Sequence, residues 1–355
     1  MCHIVLSLCM LSDEAIMHRC FDLAMNGLGH VSPNPMVGCV ITCRDRIIGE
    51  GYHQEYGKAH AEVNAIASVK NKETLRESSL YVNLEPCAHQ GKTPPCAELI
   101  IKHQIPRVVI SNRDPYPEVA GKGIEQLKNA GVEVITGICS EEGRELNKRF
   151  FTFHEKKRPY TILKWAQTID GFMDIDRNDP AIAFQWISND NLKLFVHKWR
   201  SEEDGIIVGY TTAMNDDPQL NVREWQGRNP LRMVLDENLR LPPTLKVFDG
   251  STPTLVFTSL KKPDQPNLEY ITLDFRGNIL AQMNRVLFER GIQSLMVEGG
   301  RELLDTYLEF GSWDEARVLE GNRCFGRGLK APDFRGSLVS SGLVGADRLL
   351  IFRKP

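Results

Sequence analysis

Apolar positions in this chain follow two periods, and the switches between them outline its elements. From Ser12 to Gly29 the apolar residues Ile16, Cys20, Leu23 and Ala24 share one face at helical spacing, and Gly27 and Gly29 stop the run. Pro33-Asn34-Pro35 makes a turn. Met36–Thr42 and Ile47–Tyr52 then read as a hairpin around Arg44-Asp45, with His53 closing its second strand. Gly57 precedes a helix from about Ala59 that carries His60, Glu62 and Ile66, and Leu80–Leu84 is a buried strand running into Glu85-Pro86-Cys87. Pro94-Pro95 introduces a helix over Cys96–Lys102, since proline is tolerated at a helix start. Strand Arg107–Ser111, helix Gly123–Ala130 and strand Val132–Thr136 complete the order α-β-β-α-β-α-β-α-β.

Glu141–Arg158 reads as a charged helix that closes this half as a solvated linker, which puts a domain boundary between residues 154 and 155. Beyond it, apolar runs alternate with helices: extended Pro159–Trp165, helix Asp190–Arg200, then strands Gly205–Gly209, Leu231–Leu235 and Thr254–Phe257. Helix Ile279–Arg290, strand Ser294–Val297, the Glu298-Gly299-Gly300 turn and helix Arg301–Phe310 follow. Fully apolar strands alternating with helices predict a mostly parallel α/β sheet. No Gly-x-Gly-x-x-Gly occurs, so an ordinary Rossmann dinucleotide domain is not expected. The Gly299-Gly300 turn can present backbone N–H groups to a phosphate, and it is also a plain strand-to-helix connection.

At 355 residues the chain is long enough for two domains, 1–154 and 155–355, each with a core-forming set of strands and helices. With 42% hydrophobic and 25% charged residues and a net charge of −3, it reads as a globular protein with no electrostatic pull towards nucleic acid. No apolar run is long enough to span a bilayer. Met1–Met10 is apolar but short and lacks a basic start, so it is not read as a signal peptide; Met10, just before the Ser12 cap, reads as an alternative start. Nine cysteines, eight of them before residue 140, without a secretory signal read as reduced thiols of a cytoplasmic protein.

Two of those thiols carry the sharpest chemical signal. His60-Ala61-Glu62, Cys87 and Cys96 offer one imidazole and two thiols, the set for a zinc ion that keeps its fourth position for water. Such an ion lowers the pKa of water towards neutrality. Glu62, next to a ligand but not one itself, is placed to move protons from water to a leaving amine. His-x-Glu followed by Pro-Cys is the pattern of zinc nucleobase deaminases, although here eight residues separate the cysteines where that pattern has two.

The first half is similar to the cytidine deaminase-like fold. Asn34-Pro35-x-Val37-Gly38, Gly51-x-His53-x-x-x-Gly57-x-x-His60-Ala61-Glu62 and Glu85-Pro86-Cys87-x-His89-x-Gly91-Lys92-Thr93-Pro94-Pro95-Cys96 resemble the bifunctional riboflavin-biosynthesis deaminase–reductases. The resemblance implies that Asn34, His53, His89 and Lys92 contact a phosphorylated diaminopyrimidinone, although Asn34 between prolines and Lys92 in a loop also suit plain structural roles. In the second half, Lys164-Trp165-Ala166-Gln167-Thr168-Ile169-Asp170-Gly171, Val208-Gly209-x-x-Thr212-x-x-x-Asp216-Asp217-Pro218-x-Leu220-x-Val222-Arg223 and Val297-Glu298-Gly299-Gly300 resemble the reductase half, a dihydrofolate reductase-like α/β domain that uses NADPH.

By that resemblance Ala166, Trp186, Thr212, Asp216, Glu298, Gly299 and Gly300 face the cofactor. Lys164, Arg200, Leu220, Arg223 and Glu298 hold the substrate, the arginines at its phosphate. Phe172–Gln185 is longer than the family pattern, and Phe184 stands where relatives carry a serine. The expectation is therefore a cytosolic enzyme with zinc and NADPH that deaminates a ribosylaminopyrimidine phosphate and reduces its sugar, with room for a homo-oligomer. A free-base or nucleoside deaminase with a non-catalytic C-terminal module is the alternative.

Overall fold

The computed structural model describes residues 12–88, 95–117, 120–175 and 186–355. His89, Lys92 and Phe184, with residues 176–185 of the long loop, lie outside the described residues. The chain divides into two compact units, Met1–Lys156 and Lys157–Pro355. Among the described residues, no helix is long and apolar enough to cross a membrane.

The first unit runs α1 (Asp13–Met25), β1 (Gly38–Cys43), β2 (Arg46–Tyr52), α2 (Ala61–Ser68), β3 (Ser79–Leu84), α3 (Cys96–Lys102), β4 (Arg107–Asn112), α4 (Lys122–Asn129), β5 (Glu133–Thr136), α5 (Ser140–Leu146) and α6 (Lys148–Lys156). Its sheet has the order β2-β1-β3-β4-β5, antiparallel on the β2 side and parallel from β3 to β5. Alternation along the strands decides which helix covers which face. Cys39, Ile41, Leu80, Val82, Val108 and Ile110 point to one side, with Ala61, Ala65 and Ile66 of α2 and Ala97 and Ile100 of α3. Val40, Tyr81 and Val109 point to the other and bury Ile16, Met17, Cys20 and Phe21 of α1. Burying each such large aliphatic side chain is worth about 1.5–3 kcal/mol, so the two faces fix the register. Gly51 lets α2 lie directly on β2, because a Cβ there would come within 2.3 Å of the Ala65 nitrogen.

The charged segment after β5 departs from the sequence expectation. It is two helices broken at Asn147, not one solvated linker helix. Asn147 is buried, accepting from the Met36 N–H at 2.8 Å and donating to the Met36 carbonyl at 2.9 Å. Phe150, Phe151 and Phe153 are buried as well. Phe150 and Phe151 of α6 pack with Leu84 and Val37 in the core of the first unit, a pattern masked in the sequence by the Lys and Arg residues around it.

The second unit runs β6 (Tyr160–Thr168), β7 (Phe172–Asp174), α7 (Asp190–Glu202), β8 (Gly205–Gly209), α8 (Tyr210–Asp216), β9 (Leu231–Leu235), β10 (Thr254–Thr258), β11 (Leu268–Thr272), α9 (Ile279–Glu289), β12 (Ser294–Val297), α10 (Arg301–Glu309), β13 (Glu315–Gly321), β14 (Leu329–Lys330), β15 (Ser337–Val344) and β16 (Asp347–Arg353). Its large sheet has the order β11-β10-β9-β8-β12-β6-β13-β16-β15. Pairing is parallel from β11 to β13 and antiparallel for β13-β16-β15. Most of the parallel part follows the apolar runs, but β11 and the buried β13 were not foreseen. The last two strands were not foreseen, because β15 is exposed almost throughout and carries no buried alternation. Strand β9 is not purely apolar either. Arg232 is fully buried within it, donating to Thr254 Oγ1, the carbonyls of Thr252 and Lys246, and the Asp249 carboxylate at 2.9 Å.

Candidate active sites

In the first unit the parallel strands end on one edge, where the helices that follow them begin, the usual place for a ligand in such sheets. His60 is the N-cap of α2, Cys96 the first residue of α3, and Cys87 lies just beyond β3. His60 Nδ1 is 3.6 Å from Cys87 Sγ and 3.3 Å from Cys96 Sγ, and all three donor atoms lie within 4.8 Å of one another. A borderline-soft divalent ion suits one nitrogen and two sulfurs, so the donor set fits zinc. The Cys96 thiol and backbone N–H both donate to Cys87 Sγ, which lowers the Cys87 thiol below its ordinary value. Glu62 is buried in the first turn of α2 and is not part of the donor cluster. Burial, reinforced by the negative charge at Cys87, pushes its carboxyl up to about 7.

The neighbours of this cluster are held by specific bonds. The buried His53 ring donates from Nδ1 to the Ala59 carbonyl at 3.0 Å, which leaves Nε2 to accept from Asn34 Nδ2 at 3.1 Å. Burial lowers the His53 pKa and keeps the ring neutral, as that arrangement requires. The His53 and His60 rings meet edge to face, 5.5 Å apart. Glu85 was not singled out from the sequence. Its buried carboxylate accepts from the N–H groups of Asp114, Gly121, Gly123 and Ile124 at 2.9–3.2 Å. It thereby fastens the Pro86-Cys87 segment to the start of α4. Gly123 completes the fit, since a Cβ there would lie 2.0 Å from the Pro86 carbonyl oxygen. A carboxylate at a strand end just before Pro-Cys was the available signal.

In the second unit a cavity of about 980 Å³ opens at the C-terminal ends of β6, β8, β9 and β12. Lys164, Ala166, Trp186, Thr212, Asp216 and the Glu298-Gly299-Gly300 turn all line it. Its size suits an extended ligand of dinucleotide dimensions. A Cβ on Gly300 would sit 2.8 Å from Thr212 Oγ1, so glycine keeps the cavity wall thin there. Glu298 anchors the floor: Arg200 donates to both its oxygens at 2.8 Å, and Lys164 Nζ lies 3.4 Å away. Burial disfavours the charge, but Arg200 and Lys164 outweigh it and hold the Glu298 carboxyl at about 2.

Comparison with known proteins covers both halves. Residues 10–112 match the cytidine and deoxycytidylate deaminase zinc-binding region, and residues 159–345 match the RibD C-terminal domain. The riboflavin biosynthesis protein RibD of Aquifex aeolicus is 36% identical over 96% of this chain and 98% of its own length. The protein of the same name from Bacillus amyloliquefaciens is 38% identical over 85% of this chain and 82% of its own length. The chain belongs to the RibD family of bifunctional riboflavin-biosynthesis deaminase–reductases. A crystal structure from Thermotoga maritima, described as a diaminohydroxyphosphoribosylaminopyrimidine deaminase/5-amino-6-(5-phosphoribosylamino)uracil reductase, superposes with a TM-score of 0.87. It shares 36% identity over 96% of this chain and 98% of its own. Acinetobacter baumannii RibD, at 32% identity over 96% and 98% of the two chains, gives the same TM-score of 0.87.

RibD membership makes this chain a deaminase and a reductase of riboflavin biosynthesis in one polypeptide, the first half with a zinc-binding deaminase fold and the second with the RibD reductase fold. The matches span both halves, so a deaminase with a non-catalytic C-terminal module is not favoured. Within the reductase unit, three expected substrate residues stand apart from the cavity lining. Arg200 is not an open phosphate grip. It is buried, with Nε and Nη2 on Glu298 and Nη1 on the Asn221 carbonyl at 3.1 Å. The Leu220 side chain packs among Ile206, Val208, Ala213 and Val234, in the core and away from the cavity lining. Arg223 remains half-exposed, bonded to Asn221 Oδ1 at 3.2 Å and 3.7 Å from Glu224. Tyr210, Arg240 and Arg301 also line the cavity and were not singled out from the sequence. Arg301 pairs with Asp305, whereas Arg240 lies 4.9 Å over the Tyr210 ring with no ion pair among the described residues.

Proposed function

We propose that the deaminase occupies residues 1–154 and the reductase 155–355, and that the two act in turn on one substrate. That substrate is the ribosylated, phosphorylated diaminopyrimidinone named for the Thermotoga relative. The observation that carries the reading is the convergence of His60, Cys87 and Cys96 beside the buried, non-ligating Glu62. These three residues would hold zinc, which when bound supplies a Lewis acid and a water that is nucleophilic near neutral pH. Glu62, buried beside the donors and not one of them, takes a proton from water and returns it to the departing amine. Asn34, with Nδ2 committed to His53, offers Oδ1 to an amine on the pyrimidine edge. His89 and Lys92 complete that pocket by the family motif.

The second unit then acts on the deaminated product, and NADPH, when bound there, would supply a hydride for the ribosyl group. Ala166, Trp186, Thr212, Asp216 and the Gly299-Gly300 turn would hold NADPH along the cavity. Lys164 and Glu298 orient the ribosylamino carbon. Arg223 meets the substrate phosphate, while Arg200 acts through Glu298. Cys87 and Cys96 must stay reduced, which favours a cytoplasmic setting.

One assay tests the reading. On the phosphorylated diaminopyrimidinone, ammonia release should precede NADPH consumption in equal amounts. Separately expressed residues 1–154 should release ammonia, and residues 155–355 should oxidise NADPH only with deaminated substrate. Ammonia release without NADPH oxidation by the full chain would remove the reductase assignment.

A further inference from the structure

A second group of metal-ligating side chains lies in the first unit, formed by elements that the chemistry above does not use. His18 sits on the exposed face of α1, Cys139 is the N-cap of α5, and Glu142 is in the first turn of α5. Their donor atoms all lie within 4.8 Å of one another, and His18 Nε2 is 3.9 Å from Cys139 Sγ. Tetrahedral zinc bonded to one nitrogen and one sulfur holds those atoms about 3.6 Å apart. The observed spacing closes to that value with a small rotation of an exposed imidazole. Glu14 precedes His18 by one helical turn, which places it on the same face of α1.

The backbones beneath these side chains are fixed. Ile16, Met17, Cys20 and Phe21 of α1 are buried in the cluster against which Ile138, Cys139 and Leu146 pack. The His18 ring stands edge-on to Phe21 at 5.7 Å. Cys139 itself holds a left-handed conformation, φ +51°, which is uncommon outside glycine, asparagine and aspartate.

We propose that His18, Cys139 and Glu142 form a second divalent-cation site, with its remaining position open to water, which ties α1 to α5. An imidazole, a thiolate and a carboxylate select zinc or its congeners cobalt(II) and nickel(II), and disfavour magnesium and calcium, which take oxygen ligands. On binding, the Cys139 thiol releases its proton to solvent and its sulfur donates the lone pair; no redox change occurs. The ion links residues 121 apart in sequence, and because it binds only the folded arrangement it raises stability. Its role is structural, and deamination proceeds at the other cluster.

The test uses full-length protein already carrying one zinc per chain, titrated with cobalt(II). One further equivalent should bind, with a sulfur-to-cobalt charge-transfer band. That band should vanish in Cys139→Ser, and uptake should weaken in His18→Ala and Glu142→Ala. Excess zinc should raise the melting temperature of the wild-type chain and not that of Cys139→Ser, and ammonia release should be the same in both. No uptake beyond the first ion, a cobalt spectrum without the sulfur band, or a band that persists in Cys139→Ser would overturn the site. In that event His18 and Cys139 share only a weak S–H···N contact.

Discussion

The two candidate active sites are built in opposite ways. The deaminase cluster takes its three donors from short stretches at one sheet edge, where two helix starts and a strand end meet. The reductase cavity collects single side chains from strand ends, turns and helix starts spread between Lys164 and Leu329. Its key contact, Arg200 to Glu298, spans 98 residues. The first site is a concentrated arrangement of soft donors, whose chemistry depends on the identity of each atom. The second is an extended surface whose floor is held by one buried carboxylate and two cations. Point changes should therefore abolish the first sharply and degrade the second through both binding and stability.

The largest effect should come from Glu62→Gln. One zinc per chain should remain while ammonia release falls by about 10²–10⁴-fold, and NADPH oxidation with deaminated substrate should be unchanged. Loss of zinc in that variant would make Glu62 structural and blur the contrast between the sites.

Next is Glu298→Gln, which strands Arg200 and Lys164 without their counter-charge. Breaking a buried pair from one side costs about 3–5 kcal/mol, read as a lower denaturation midpoint of the reductase unit with deaminase activity preserved. An unchanged midpoint would show that the triad is not what holds this floor.

Acid should act on the same triad. The Glu298 carboxyl lies at about 2 in the folded chain against an ordinary value of 4.5. Its stabilisation is fully present above pH 4.5 and is lost as pH falls through about 2. The shift corresponds to about 3 kcal/mol. Chemical denaturation of the wild type should weaken across that window, and Glu298→Gln should flatten the dependence.

Arg223→Ala should raise the KM for the phosphorylated substrate about ten- to a hundredfold, from the loss of about 1.5–3 kcal/mol, with little change for NADPH and a smaller penalty on a dephosphorylated analogue. A defect confined to NADPH would move Arg223 to the cofactor. The smallest effect is expected at Arg240, the cation lining the cavity without a carboxylate partner among the described residues. Arg240→Ala should weaken NADPH binding by about tenfold and leave NADH binding nearly unchanged, the difference arising from the 2′-phosphate. Equal losses for both nucleotides would rule out that contact.

What could be read in advance follows the same division. Most helices and parallel strands were legible because their apolar periods are local: helix Cys96–Lys102 and strands Gly205–Gly209, Leu231–Leu235 and Ser294–Val297 fall where the pattern puts them. The antiparallel edge strand β15 was not, since an exposed edge strand needs no apolar alternation, and its interior neighbour β16 was missed with it. The aromatic stripe of α6 was hidden among charges. His60, Glu62, Cys87 and Cys96 were legible as chemistry because metal donors are few residue types, and their spacing is short enough to notice.

By itself, then, the sequence determined the α/β class, the donor set and the family, since each rests on residue type at fixed local spacing. Only the tertiary structure decided the use of individual groups. It assigned Arg200 to Glu298, which no spacing relates, and sent the Leu220 side chain into the core. It gave Glu85 four backbone donors that fix Cys87, and it placed His18 beside Cys139. A hydrogen bond or ion pair is settled by the direction and distance of two side chains, and across a hundred residues those are set by how strands and helices stack, which local pattern does not encode.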